Sequence, residues 1–440
     1  MRRNRYLIAI ILGSFSLILF YSTLTLNERV RRGGQGGSPN PTPNSTHWLS
    51  ARNETKAAWK NSPSPGPLDP DGKTKTPPST ARPRVQQVSI SEQFRQAIPQ
   101  SSAWWNRKQH ESFQLLAAQQ LDNSTQSQPA CRLTSDALRA QIQDFDSYPA
   151  LYRDFLQAAG CRDYALLMEQ PGKCRSRFGG EGEEEVFLLL AIKSMPENFV
   201  RRQAVRESWG MEMAYDGLQV RTVFLLGTTS GEDDPDLTHL VSHEAQRHGD
   251  LLQWGFRDSF FNLTLKDNLF LHWVDRRCPR TRFIFKGDDD VFLNTPELLR
   301  YLRSLQPDQA GRLYVGQVVT QASPFRSAKS KYYVPETFYE GAYPPYTGGG
   351  GFLFSGSLVR PLLRLSLYIP FFPIDDVYTG MCFQALGVAP VLHNGFQTFD
   401  IREQDRENAC VHKSLLLVHQ RSPQQMLRLR RALQDPGLRC

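Results

Sequence analysis

The chain reads as an α/β protein: a mostly parallel sheet, covered by helices on both faces, in its C-terminal body. Two observations predict this. Short apolar runs alternate with helical patterns between residues 186 and 302. One of those runs also ends in three consecutive carboxylates, Asp288, Asp289 and Asp290. Open sheets of this class bind their ligands beyond the carboxyl ends of the strands, where the triplet falls.

Taken in order, Val186–Ile192 is continuously apolar, as in a strand buried on both faces. Arg201–Trp209 reads as a helix, and Thr222–Leu226 as a strand closed by Gly227. Leu237–Arg247 is helical, Leu251–Phe256 a short strand and Leu265–Val274 a helix. Phe283–Phe285 is the strand that leads to the triplet, and Pro296 opens another helix. Upstream, residues 90–173 form a helical segment next to the stem. Thr134-Ser135-Asp136 starts a helix there, with Leu138, Ile142 and Phe145 on one face. Trp104 and Trp105 mark the segment as a cover packed onto the main domain, residues 174–440.

The N-terminus has a different composition. Tyr6–Leu26 carries no charge, and a helix of that length spans roughly 30 Å, the thickness of a hydrocarbon core. Residues 1–5 then form a cytosolic tail and 6–26 a transmembrane signal anchor. Residues 27–89, rich in Gly, Pro, Ser and Thr, form a flexible, disordered stem. Four sequons, at Asn44, Asn53, Asn123 and Asn262, follow the anchor. So do all seven cysteines, which fits an oxidising lumen and a single-pass type II layout. Seven is odd, so at least one thiol is free or pairs between chains, and the pairing is open. The formal charge of +8 comes from 52 basic and 44 acidic residues spread along the chain. Nucleic acid is therefore not the partner.

The triplet is either a solvated acidic turn or a site for a hard divalent ion. Its apolar flanks, Phe283, Phe285, Val291 and Phe292, favour the ion. Asp375 and Asp376 follow Pro373 at the start of a helix through Met381, Phe383 and Leu386. One carboxylate there is explained as a helix cap; the second could serve as a general base. Tyr346-Thr347-Gly348-Gly349-Gly350-Gly351-Phe352 is either a loose turn or a pocket wall where the backbone at Gly349 and Gly350 approaches a ligand closely. No Gly-Lys-Ser/Thr follows, so it is not a Walker loop. His419 closes the apolar run Leu415–Val418, as a core residue or as a nitrogen ligand. Arg201, Arg202 and Arg206 share one short helix, as a cradle for an anionic cofactor or as ordinary surface charge.

Together these segments resemble the β-1,3-glycosyltransferases of glycosyltransferase family 31, closest to the β-1,3-N-acetylglucosaminyltransferases. The resemblance covers Cys174–Cys440. It rests on Arg201–Gly210, Phe285–Phe292, Ser330–Pro335, the glycine run, Ile374–Gly380 and Val418-His419. It implies a GT-A fold, a UDP-GlcNAc donor, and Mn²⁺ or Mg²⁺. It implies Asp288, Asp290 and His419 as metal ligands, with Asp289, Arg201, Arg206, Gly349 and Gly350 around the donor. Asp376 matches the catalytic base, with Asp375 as the alternative. It further implies inverting transfer to a terminal galactose or N-acetylgalactosamine of a glycoprotein or glycolipid glycan, on the Golgi membrane, and homo- or hetero-oligomers with other Golgi glycosyltransferases. The alternatives are a β-1,3-galactosyltransferase using UDP-galactose and a catalytically inactive glycan-binding protein.

Overall fold

The computed structural model describes residues 88–118, 131–175, 185–229 and 234–440. The expected anchor, nearly all of the stem and the sequons at Asn44, Asn53 and Asn123 lie outside the described residues. No helix among the described residues is long and apolar enough to cross a membrane.

The central sheet contains β1 (Leu166–Met168), β2 (Leu188–Lys193), β3 (Leu218–Thr228), β4 (Leu251–Arg257), β5 (Phe283–Asp288), β6 (Tyr314–Gly316), β7 (Gly351–Ser355) and β8 (Val391–Leu392), in the spatial order β1-β4-β3-β2-β5-β7-β6-β8. Ala214–Tyr215 adds a ninth, antiparallel to β3. The run β4-β3-β2-β5 is parallel, as expected. Beyond it the expectation needs correction: β7 runs antiparallel to both β5 and β6, so the sheet is mixed. A parallel neighbour needs a crossover, usually a helix. Between β6 and β7 there is no helix, only a long connection whose short strands Val318–Val319 and Tyr346–Thr347 pair antiparallel with each other and bring the chain back.

Helices cover both faces: α1 (Trp104–Ala118), α2 (Phe199–Arg206), α3 (Thr238–His248), α4 (Leu263–Arg277), α5 (Thr295–Ser304), α6 (Val359–Ser366), α7 (Asp375–Ala385) and α8 (Pro423–Gln434). All six residues of β2 are buried. Leu189 and Ala191 join one core with Trp105, Trp254, Trp273 and Phe372. Leu188, Leu190 and Ile192 join a second core with Trp209, Phe285, Leu417 and Met426. That is the period of two expected of a strand with both faces covered. The upstream segment belongs to the first core through Phe94, Trp104, Trp105 and Phe155, and the Trp105 indole N–H donates to the Pro370 carbonyl at 3.0 Å. Thr134 caps a helix as its sequence suggests, but that helix ends at Arg139.

Cys131 pairs with Cys161, Cys174 with Cys278 and Cys410 with Cys440, which leaves Cys382 on α7 free and buried. Burial pushes its thiol up to about 12, so it is an inert core residue. The Cys174–Cys278 bridge closes the longest loop, with a separation of 104 residues. Cys174→Ala/Cys278→Ala is expected to lose roughly 2–4 kcal/mol in denaturant unfolding.

Candidate functional site

β5 ends at Asp288, in register with Lys193 at the end of β2. Both lie at the carboxyl rim of the parallel strands. A second, small sheet brings in the remote histidine. Phe292–Leu293, just after the triplet, pairs antiparallel with Leu417–Val418, which pairs parallel with Phe396–Gln397. The Arg421 backbone N–H donates to the Asp290 carbonyl at 2.7 Å and fixes the junction.

His419 Nε2 thus lies 3.2 Å from Asp290 Oδ1 and 3.9 Å from Asp288 Oδ2. One ligand atom from each of the three residues falls within 4.8 Å of the others. The ring Nδ1 sits 2.8 Å from the Thr398 carbonyl. A carbonyl only accepts, so Nδ1 carries the hydrogen, and in the neutral ring Nε2 keeps its lone pair toward the carboxylates. This is the usual orienting contact of a metal-ligating histidine. Two carboxylates and an imidazole suit Mn²⁺ or Mg²⁺ in donor type, and the three residues fit such an ion. Burial alone would lower the His419 pKa, but the hydrogen bond and charge of Asp290 outweigh it and raise it. Burial would likewise raise the Asp290 pKa, yet His419 and Arg201 bring it below the ordinary value.

Asp289, expected near the donor, turns away from this group. It is 4 % exposed and accepts from Ser194 Oγ at 2.7 Å, Asn198 Nδ2 at 2.9 Å and Arg201 Nη1 at 3.1 Å. It therefore ties the rim to the start of α2. The arginines also divide. Arg201 remains half-exposed at the rim, 3.4 Å from Asp290. Arg206 does not reach the site: it holds Asp250 through two bonds, at 2.7 and 2.9 Å, and Glu244 at 2.7 Å. Arg202 is fully buried and grips the same Glu244.

The glycine run threads between two walls. A Cβ on Gly350 would come within 2.6 Å of Thr398 Oγ1 and 3.1 Å of His419 Nδ1. One on Gly349 would sit 3.2 Å from Asp376 Oδ2, which accepts from the Gly349 N–H at 3.2 Å. None of these glycines has a positive φ; they are needed for space. The run carries the His419 wall on one side and the Asp376 wall on the other.

Asp375 and Asp376 open α7. Asp375 is 5 % exposed, and its Oδ2 accepts from Lys193 Nζ at 2.8 Å. Burial works to raise its pKa, but Lys193 and Lys286 outweigh burial and lower it. It is a carboxylate held ionised by buried ammonium groups, with no freedom to take a proton. Asp376 is half-buried. Burial, and then the neighbouring charge of Asp375, push it up to about 7.

Lys193 is the residue that the sequence did not reveal. It is 6 % exposed, and its ammonium reaches Asp375 at 2.8 Å, Asp288 at 3.0 Å and the Gly349 carbonyl at 3.3 Å. One cation joins the strand end, the glycine run and α7. Lys286, on β5, forms a second buried pair with Asp267 of α4. The one signal available was a lysine directly closing an apolar run.

A mixed sheet with helices on both faces and an acidic rim has the layout of a glycosyltransferase-like α/β fold. The Galactosyltransferase family model matches residues 200–394. Mouse N-acetyllactosaminide beta-1,3-N-acetylglucosaminyltransferase 2 is 49 % identical over 311 residues, which cover 70 % of this chain and 76 % of that protein. Its human counterpart is 44 % identical over 365 residues, covering 79 % and 89 %. Human UDP-GlcNAc:betaGal beta-1,3-N-acetylglucosaminyltransferase 8 is 41 % identical over 354 residues, covering 80 % and 86 %. The chain belongs to glycosyltransferase family 31, in its β-1,3-N-acetylglucosaminyltransferase branch.

Proposed function

We propose that this chain transfers N-acetylglucosamine from UDP-GlcNAc, in β-1,3 linkage and with inversion, to a terminal galactose of a glycan. The observation that carries the proposal is the Asp288–Asp290–His419 group on one side of the glycine run, with a raised-pKa carboxylate, Asp376, on the other. Relatives whose names state this activity support it. The catalytic body takes the GT-A arrangement, anchored by residues 6–26 in the Golgi membrane with the body in the lumen.

In this mechanism Asp288, Asp290 and His419 would hold a divalent ion, which would supply positive charge to offset that on the departing UDP phosphates. Asp376 removes the proton from the acceptor 3-hydroxyl as that oxygen attacks the anomeric carbon. The new C–O bond forms on the face opposite the breaking bond to UDP, so an α-linked donor gives a β-linked product. Lys193 keeps Asp375 ionised, and the Asp375 charge helps raise Asp376 toward the pH at which it works. Arg201 borders the donor side, while Arg206 and Asp289 hold the scaffold.

The test is a donor panel on the full chain, with galactose-terminated acceptors and Mn²⁺, with and without chelator. The expected result is transfer from UDP-GlcNAc that chelator abolishes and Mn²⁺ restores. Preference for UDP-galactose would instead match the description of the family model. Glycan binding without UDP release from any donor would overturn the enzymatic reading.

A further inference from the structure

The segment Ser330–Pro335 takes no part in the cluster around Asp288 and Asp376. It is nevertheless firmly held. Phe325 and Tyr333 form an isolated bridge, the Val334 N–H donates to the Phe325 carbonyl at 2.9 Å, and Arg326 Nη1 donates to the Val334 carbonyl at 2.7 Å. The loop that this closes turns aromatic rings outward. Phe325 is 60 % exposed and Tyr332 39 %, with ring centroids 6.2 Å apart. Phe260 packs edge-on against Tyr332 at 5.5 Å. The Lys331 ammonium lies 4.7 Å from the Tyr332 ring and 5.7 Å from that of Phe260. A pinned loop that exposes clustered rings is not required by either core, and such patches mark binding surfaces.

Its position relative to the base says what it binds. Phe260 leads into α4, where the Thr264 hydroxyl donates to the Phe372 carbonyl at 2.7 Å, three residues before Asp375. Tyr346, at the head of the glycine run, lies against α7 so closely that a Cβ on Gly380 would come within 2.5 Å of its Cβ. A row of rings runs from Tyr346 through Tyr343 at 6.4 Å to Phe372 at 5.7 Å. The Tyr343 N–H also donates to the Ala322 carbonyl at 2.8 Å, three residues before Phe325, which ties the exposed loop to this row. The rings thus lie on the Asp376 wall of the glycine run, whereas the nucleotide-binding group lies on the His419 wall.

We propose that Phe325, Tyr332 and Phe260, with Lys331, form a subsite for the inner sugars of the acceptor glycan, those that follow its terminal galactose. The inference rests on the function proposed above. Galactose and N-acetylglucosamine each present one face of C–H bonds, and flat aromatic rings bury such a face while leaving the hydroxyl edges wet. Lys331 supplies a donor for those edges. Because the loop is already pinned, binding orders little, and the contact is retained as affinity.

The test uses the full chain with two acceptors, a disaccharide ending in galactose and a hexasaccharide of the same repeat. Phe325→Ala/Tyr332→Ala is expected to lower the hexasaccharide-to-disaccharide ratio of kcat/KM by about tenfold, through KM rather than kcat. Tyr332→Phe, which keeps the ring, should retain the wild-type ratio. Equal losses on both acceptors, or an unchanged ratio, would overturn the subsite. A second readout does not depend on the donor: saturation-transfer NMR of the hexasaccharide with UDP and Mn²⁺ present. Wild type should saturate the inner sugars and the double variant should not. Inner sugars left unsaturated by wild type would refute the subsite even if transfer occurs. Saturation without any transfer from UDP-GlcNAc would keep the subsite and refute the proposed donor.

Discussion

Asp376→Asn is expected to lower turnover by about 10²–10⁴-fold, with UDP affinity in Mn²⁺, measured by calorimetry, close to wild type. The split follows from geometry, since Asp376 contacts Gly349 and opens α7 while Asp288, Asp290 and His419, the proposed ion ligands, lie on the far wall of the glycine run. Loss of UDP binding together with turnover would make Asp376 structural. The pH dependence carries a second, signed expectation. A base works deprotonated, and Asp376 is pushed up to about 7. The kcat/KM of wild type should therefore rise as pH increases through about 7 and then level off. Stability runs the other way. The folded pKa lies above that of an unfolded aspartate, about 3.9. Between those two values the folded chain binds more protons than the unfolded chain, so this residue's contribution to stability falls as pH rises. The wild-type melting temperature should fall relative to that of Asp376→Asn across pH 4–7, independent of any constant offset from the altered hydrogen bonds. Parallel melting curves would place the Asp376 pKa near its ordinary value and remove the reason for a base poised near neutrality.

What the sequence showed and what it hid divide along physical lines. β2, β3, β4 and β5 were readable because each carries a short, nearly continuous apolar run of the kind a strand covered on both faces needs, despite single polar residues such as Arg221, Gln253 and Lys286. The three-residue strands β1 and β6 are too short to carry a period. β7 holds the apolar run Phe352–Phe354, but such a run reads the same in either direction, so its antiparallel pairing is not visible in the sequence. Asp288, Asp290, Asp376 and His419 stood out because carboxylates and a histidine at the ends of apolar runs lack a local explanation. Arg206 misled, although the spacing held a clue: positions 202 and 206 are one helical turn apart and share Glu244, while 201 faces elsewhere. Lys193, Lys286 and Asp267 were invisible for the opposite reason. A buried charge is recognised by its partner, and Lys193 is 182 residues from Asp375.

That long-range pair supports the second large effect. Lys193→Met removes the ammonium that meets Asp375, Asp288 and the Gly349 carbonyl. Asp375 is then left buried with only the more distant Lys286 ammonium, at 3.8 Å, and removing one partner of a buried ion pair typically costs about 3–5 kcal/mol. Thermal unfolding should show the loss directly. The same ammonium also sets the distance between the strand end that carries Asp288 and the helix that carries Asp376. Misplacing reacting groups by about 1 Å can cost on the order of 10²-fold in rate. The two consequences separate when Asp375→Asn is added. In Lys193→Met/Asp375→Asn no buried charge is unpaired at this point, so most of the melting temperature should return. The tie between Asp288 and α7 is still missing, so kcat should remain about 10²-fold down. If kcat instead recovers in step with the melting temperature, Lys193 is no more than the counterion of Asp375, and the distance between the two walls of the site is set by the glycine run and the sheet alone.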